Sequence, residues 1–263
     1  MRVDLEVALM GKTVGLEGLG EEGYGKVICY PRCETGEFDR RLAEMHELGV
    51  KALCFEGGKT VNSVRVLGKG CVGIVVVAQT ETSRVALKIR RTDADRTGMK
   101  REAEMLGIAN RVDVGPMLLA FSENLLMMEF VDGLLIPRWI EALEDKEDAK
   151  LRVRGVLKEV LEQCWRLDEL GLDHGELSQA SKHIIIDGEG NACILDFETA
   201  SNMRKVANVT SASHYLFMRG KTADLIRDKI GRMNEERLLA SLRTYKKNRT
   251  RGNFEAILTA CGV

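Results

Sequence analysis

Gly68-Lys69-Gly70-Cys71-Val72-Gly73-Ile74-Val75 runs straight into Val76-Val77-Ala78-Gln79, and the structure expected at that junction decides the fold. The glycines match a G-x-G-x-x-G-x-V pattern position by position. Alone the pattern is weak, because a glycine-rich hairpin without any ligand carries the same spacing. The residues that follow narrow the choice. A dinucleotide fingerprint needs strand, glycines and then a helix whose N-terminus meets the pyrophosphate. Here β-branched residues follow, so the glycines are expected to join two strands. Gly58-Lys59-Thr60 and Gly11-Lys12-Thr13 end like P-loops but lack the first glycine, those positions being Leu53 and Glu6.

Outward from this hairpin, residues 51–55, 61–67, 73–79 and 84–90 read as strands, with a turn at Thr80-Glu81-Thr82-Ser83. Phe38, Leu42 and Met45 predict a helix over 38–48, stopped by Gly49. A second helix is expected over 95–108. A further hairpin, 117–121 and 125–130, turns around Ser122-Glu123-Asn124. The first 36 residues, dotted with glycines, read as turns and short strands. After Gly133 the pattern becomes helical. Val153, Val156, Leu157, Val160, Leu161, Cys164, Leu167 and Leu170 repeat at three and four, and Gly171 closes that helix. Short strands at 184–186 and 193–195 flank Asp187-Gly188-Glu189-Gly190, and helices are expected over 222–233, 235–245 and 254–260. A β-rich first half and an α-rich second half meet near Asp132-Gly133, which predicts an α+β chain of two lobes. The divisions are 1–58 as an N-terminal extension packed on the N-lobe, 59–131 as the N-lobe and 132–263 as the C-lobe, with Gly133 as the turn between lobes.

The composition agrees with a packed globular chain. Its 263 residues are 44% hydrophobic and 30% charged. With 39 basic and 40 acidic side chains, the net charge of −1 argues against a nucleic-acid coat or a polybasic membrane protein. The longest apolar runs, such as Ile74-Val75-Val76-Val77-Ala78, are strand-sized, and the opening Met1-Arg2-Val3-Asp4-Leu5-Glu6 is too acidic for a signal peptide. The expectation is a soluble cytoplasmic protein without membrane contact. The seven scattered cysteines read as free thiols rather than a zinc site built from Cys29, Cys33 and His46.

The chemistry gathers in four places. Val85-Ala86-Leu87-Lys88 sets a lysine among apolar strand residues, where it holds a fixed positive charge. Arg101-Glu102-Ala103-Glu104-Met105-Leu106 offers that lysine an acidic partner on the next helix. Met127-Met128-Glu129-Phe130-Val131-Asp132-Gly133 is an amphipathic strand running into a turn. His174-Gly175-Glu176-Leu177 is followed by Ile194-Leu195-Asp196-Phe197. In this order, over residues 61–195, these segments resemble the glycine-rich loop, V-A-I-K strand, acidic helix, hinge, catalytic loop and D-F-G of the protein-kinase superfamily. The chain is similar to the small atypical protein-kinase-like enzymes: the RIO kinases, the kinase of the KEOPS complex and, most closely, a group of archaeal predicted serine/threonine kinases.

The resemblance implies a bilobal kinase-like fold and an ATP- and Mg²⁺-dependent phosphotransferase, with Mn²⁺ as the alternative cation. Its expected acceptor is a Ser or Thr hydroxyl of a protein not identified by the sequence. Gly68, Gly70 and Gly73 would cover the ATP phosphates. Lys88 would contact them, oriented by Glu102 rather than Glu104. Glu129 and Val131 would hold adenine through the backbone. Asp196 would bind the metal, and Glu176 would accept or orient the acceptor's proton.

Three departures shape this expectation. Glu176 stands where the family has Asp. Ser181 stands where it has a metal-binding Asn, leaving His183 as the stand-in ligand, with Gln179 as a rival. Asp196-Phe197-Glu198 ends in Glu rather than Gly, as in small-molecule kinases of the choline and aminoglycoside type. The alternatives are therefore a nucleotide-binding pseudokinase or ATPase switch, or a small-molecule kinase. Arg243, Lys246, Lys247, Arg249 and Arg251 form a basic C-terminal run that reads as a solvated helix end, its rival being an RNA or ribonucleoprotein contact.

Overall fold

A computed structural model of the chain describes residues 11–20, 23–95, 99–144 and 147–263. The acidic opening at 1–6, and residues 96–98 of the helix expected over 95–108, lie outside the described residues. Two compact units result: Met1–Glu104 with Met117–Phe130, and Met105–Pro116 with Val131–Val263.

The first unit is built on an antiparallel sheet. Its strands are β1 (Lys12–Gly15), β2 (Ala52–Phe55), β5 (Gly68–Lys69), β6 (Gly73–Gln79), β7 (Arg84–Arg90), β8 (Leu118–Phe121) and β9 (Leu125–Glu129). The order is β1-β2-β6-β7-β9-β8, with β5 turned back on β6. β6 and β7 are central, as their nearly continuous Val, Ile, Ala and Leu content requires of strands buried on both faces. Leu16, Leu19, Val27, Ile28 and Met45 join the apolar side chains of β2, β6, β7 and β9 in one core.

Helix α1 (Glu37–Glu47) is fastened to that sheet by polar side chains. Glu44 accepts from the Asn124 backbone amide at 2.8 Å and from the Ser122 hydroxyl. Arg41 is fully buried. It donates to Glu37 at 2.7 Å and to the backbone carbonyls of Ile28 and Arg90. Residues 11–55 thus add two strands, a helix and much of the core to the sheet. Helix α2 (Lys100–Asn110) begins with Met99 and Ala103 packed on Leu126.

The second unit is helical around α4 (Glu147–Leu170), with α3 (Ile136–Ala142), α5 (Asn208–Ser213), α6 (Lys221–Ile230), α7 (Glu235–Lys247) and α8 (Arg251–Cys261). Val153, Val156, Leu157, Val160, Leu161, Cys164 and Leu167 all lie buried along α4, the stripe expected from their spacing. A small antiparallel sheet orders β10 (Gly133–Leu135), β11 (Ile184–Asp187) and β12 (Ala192–Ile194). Every strand pair among the described residues is antiparallel, and the chain is α+β.

Several local expectations are corrected. The strand expected over 61–67 is a hairpin of β3 (Lys59–Val61) and β4 (Val64–Val66), because Asn62 and Ser63 turn the chain with positive φ. Val27 and Ile28 lie in a helical turn, Gly25–Ile28, not in a strand. Helix α6 stops at Ile230, three residues early, where Gly231 takes a positive φ. Gly133 is not a turn. It opens β10 opposite Asp187, and a Cβ there would meet the Ile186 carbonyl oxygen at 2.2 Å. The seven-residue helix α3 falls in the stretch after Gly133 expected to be helical, though without bounds of its own, and Pro137 suits its first turn.

Candidate functional site

In the first unit the glycines do form a strand-to-strand hairpin. Gly68 pairs with Val75, the Gly70 amide donates to the Gly73 carbonyl at 2.8 Å, and Val75 lies opposite Lys88 across β6 and β7. The three motif glycines differ in what the fold asks of them. A Cβ on Gly73 would sit 3.0 Å from Lys88 Cγ and 3.1 Å from the Ile89 carbonyl oxygen, so packing around the lysine requires that glycine. A Cβ on Gly68 would reach only ordinary contact with Val75 at 3.6 Å, and one on Gly70 only the Gly73 oxygen at 3.5 Å. Neither has a positive φ. Their lack of side chains is not explained by the protein's own packing.

Lys88 and Glu102 are each 4% exposed, and Lys88 Nζ lies 2.8 Å from Glu102 Oε1. The rival acid, Glu104, is exposed and lies 4.0 Å from Lys100. Two neighbours had no signal in the sequence. Arg91 reaches back to the Gly70 carbonyl at 3.1 Å and pairs with Asp93 at 2.7 and 2.8 Å. The Tyr30 ring stacks against Lys69 Nζ at 4.5 Å and the Arg91 guanidinium at 5.1 Å. Thr92 donates its amide to the Tyr30 carbonyl and its hydroxyl to the Arg32 carbonyl, each at 2.9 Å. A segment distant in sequence therefore braces the glycine hairpin. Glu129 closes β9, and its amide is taken by the Met117 carbonyl at 2.9 Å.

In the second unit, His174, Glu176, His183 and Asp196 come together on three short stretches. His174 is fully buried. It donates from Nε2 to the Leu195 carbonyl at 2.9 Å, and its own amide donates to Asn208 at 2.8 Å. Burial, before any charge nearby, lowers its pKa to about 4, so it is a neutral packing imidazole. His183 follows the 3₁₀ turn Leu177–Lys182 and is also buried. Its Nε2 lies 2.9 Å from Glu176 Oε2, and its Nδ1 lies 3.9 Å from Asp196 Oδ2. Asp196 has φ of +69°, in the left-handed region that costs a non-glycine residue roughly 1–3 kcal/mol. The neighbours hold it there: the Leu195 amide donates to the His183 carbonyl at 2.8 Å, and Phe197 is buried against the His174 ring. Val131 also belongs to this unit, and its backbone amide has no hydrogen-bond partner among the described residues.

Glu176, His183 and Asp196 each bring a ligating atom within 4.8 Å of the others. Two carboxylates and an imidazole fit a divalent cation. The nitrogen donor does not fit the all-oxygen preference of Mg²⁺. Of the basic C-terminal run, Arg251 forms a bidentate pair with Glu162 at 2.7 Å and stacks on Trp165, and Arg249 donates to the Val206 carbonyl at 2.8 Å. Arg243, Lys246 and Lys247 stay exposed.

No family model matches the chain. It is 33% identical over 103 residues to the uncharacterized protein MJ1211 of Methanocaldococcus jannaschii, a match covering 83% of that protein and 39% of this chain. The chain belongs to that protein's family. That relative is itself uncharacterized, so a functional reading rests on this chain's own residues. No helix among the described residues is long and apolar enough to cross a membrane.

Proposed function

We propose that the chain is an ATP-dependent phosphotransferase of the bilobal protein-kinase-like fold, transferring a phosphoryl group to a Ser or Thr hydroxyl of a protein. The observation that carries this reading is the buried Lys88–Glu102 pair behind the glycine hairpin. A buried ion pair is a poor way to gain stability, since its desolvation offsets its attraction and well-packed apolar residues do as well. Its retention beside a glycine hairpin suits a lysine held in place to meet phosphate oxygens, with Glu102 fixing its position. Gly68 and Gly70 support the same reading, because a phosphate chain under the hairpin supplies the close approach that the protein's own packing does not.

ATP would supply the γ-phosphoryl group. Val131, with Glu129 at the end of β9, would hold adenine through backbone groups. Glu176 has one carboxylate oxygen engaged by His183, which leaves Oε1 to take the acceptor's proton. Asp196 and His183 would hold a divalent cation. The engagement of Glu176 also favours a second reading, a nucleotide-binding switch that transfers nothing.

Thermal unfolding with and without nucleotide and a divalent cation tests binding. Nucleotide at about 100 times its dissociation constant stabilises by about 2.7 kcal/mol. Lys88→Ala should lose the shift. Labelled γ-phosphate should then appear on protein, the chain itself included, and Glu176→Gln should abolish it. ADP release without labelled protein would move the reading to a small-molecule acceptor. Binding with neither release nor transfer would leave the switch, and no shift at millimolar nucleotide would sink both.

A further inference from the structure

Cys29 is buried and Cys33 is exposed, with Tyr30, Pro31 and Arg32 between them. Thr92 clamps that short connection. Its amide donates to the Tyr30 carbonyl and its hydroxyl to the Arg32 carbonyl, each at 2.9 Å, and the hydroxyl accepts from the Arg32 amide at 3.4 Å. The chain is held turned, and the two thiols hydrogen-bond one another. The charge of Arg41, fully buried on α1, acts on Cys29 from next door, since Arg41 Nη1 donates to the Ile28 carbonyl. Its Nε is taken by Glu37, whereas Nη2 is buried without a hydrogen-bond partner among the described residues. An unused buried N–H costs free energy. A guanidinium with such a group beside a thiol pair suits the stabilisation of a thiolate.

We infer that Cys29 and Cys33 are a thiol–disulfide exchange site for a low-molecular-weight disulfide such as glutathione disulfide, and that closing their bond loosens the glycine hairpin. Cys33, being exposed, meets the reagent. It loses its proton to water, and its thiolate attacks one sulfur of the small disulfide. That S–S bond breaks, a mixed disulfide forms on Cys33, and the first small thiolate leaves and takes up a proton. Cys29 then loses its proton, attacks the Cys33 sulfur and expels the second small thiolate, which is protonated in turn. The two protein thiols give up two electrons and two protons, and the small disulfide gains both. Before reaction, burial and then the hydrogen bond and charge of Cys33 push the Cys29 thiol up to about 12. The mixed disulfide removes the Cys33 charge. Arg41 is then left to favour the Cys29 thiolate, against burial and Glu37. Tyr30 carries the effect outward. Its ring rests against Lys69 Nζ at 4.5 Å and the Arg91 guanidinium at 5.1 Å, and Arg91 donates to the Gly70 carbonyl. A covalent S–S bond is far shorter than a thiol–thiol hydrogen bond, so closing it shifts the backbone at Tyr30 and draws the ring off those cations.

The test equilibrates the whole chain with mixtures of glutathione and glutathione disulfide, quenches with acid, alkylates the free thiols and digests with trypsin. Cleavage after Lys26, Arg32 and Arg40 puts the two cysteines on separate peptides, 27–32 and 33–40, so mass spectrometry reads the disulfide as one cross-linked pair. The folded chain should form it at a glutathione disulfide level about tenfold or more below that needed in urea, because the fold holds the thiols in contact. Cys33→Ser should form none, and Cys71→Ser should keep it. Cys29→Ala should instead hold glutathione on Cys33; if that variant does not fold by circular dichroism, Cys29→Ser decides by the same adduct. Amide hydrogen exchange over residues 68–73 should be about threefold or more faster in the cross-linked chain, and dithiothreitol should reverse it. The site is overturned by the absence of a cross-link, by one formed no more readily than in urea, or by a lasting glutathione adduct on Cys33 of the parent. Unchanged exchange at the hairpin of the cross-linked chain overturns the coupling. None of these readouts uses nucleotide or phosphoryl transfer, so the phosphotransferase reading stands or falls separately.

Discussion

Asp168 and Asp196 are aspartates of the same unit, and their surroundings are opposite. Asp168 lies buried on α4 and accepts from the Asn208 amide and side chain at 2.9 Å, the Val209 amide at 3.4 Å and the Tyr245 hydroxyl at 3.0 Å. Burial raises its pKa, and those donors pull it back. The carboxylate is saturated by the protein, and its business is to hold α4, α5 and α7 together. Asp196 instead is partly exposed, with Oδ2 3.9 Å from His183 Nδ1, and it holds a backbone conformation that costs energy to keep. A polar group whose donors and acceptors balance is explained by the fold. One held part-exposed on a strained backbone points to a role beyond stability.

The sharpest way to break this contrast is to neutralise each aspartate in turn. Asp168→Ala leaves buried donors unsatisfied on α5 and α7 and should cost about 4 kcal/mol or more in urea unfolding. Asp196→Asn, at a partly exposed side chain, should change stability by under about 1 kcal/mol while removing the divalent-cation dependence of the nucleotide-induced thermal shift. Equal losses would erase the distinction. In the first unit, Lys88→Met should cost about 3 kcal/mol by stranding the Glu102 charge, and the double variant with Glu102→Leu should recover most of it. A double variant that is stable yet blind to nucleotide would separate the pair's function from its fold.

Tyr245 sharpens the Asp168 side through pH. Burial, then the Asp168 charge, raises the phenol above its ordinary value of 10.0. The folded chain therefore keeps the proton at pH values where the unfolded chain loses it. That stabilisation is complete below pH 10 and is lost as pH rises above it. Tyr245→Phe should cost about 1.5 kcal/mol at pH 7 by removing a hydrogen bond to a charged group. Its deficit against the parent should shrink as pH climbs past 10, measured by urea unfolding across pH 8–11. A constant deficit would mean that the hydroxyl does not hold its proton for Asp168.

The sequence was most legible where one local pattern dominates. β6 and β7 fall on the expected residues 73–79 and 84–90, because a buried central strand needs an unbroken apolar run and little else shares that pattern. The α4 stripe was equally plain. The hairpin at 59–66 was missed because Asn62-Ser63, a turn pair by residue type, is only two residues long and was read through between Val61 and Val64. The site residues were legible as types but not as partners. Glu176 and His183 stand seven residues apart, a spacing that regular structure does not bring together, and only the 3₁₀ turn over Leu177–Lys182 does so. Tyr30 and Arg91 were beyond reach for a different reason: their contact depends on the segment before α1 packing beside the sheet.

The smallest predicted effects concern the glycines, where the same contrast holds at the scale of one methyl group. Gly73→Ala pushes a Cβ against Lys88 and the Ile89 carbonyl, and the backbone atom cannot swing aside. It should cost about 1–2 kcal/mol, as overpacking does, and disturb the Lys88 position as well. Gly70→Ala meets only ordinary contact and needs no unusual φ, so its stability should stay within about 0.5 kcal/mol of the parent. If Gly70 is kept bare for a phosphate chain, that silent substitution should still weaken the nucleotide-induced thermal shift. If the shift is undiminished, the glycine answers to nothing bound there, and the case for the hairpin as a phosphate cover falls back on Lys88 and Glu102 alone.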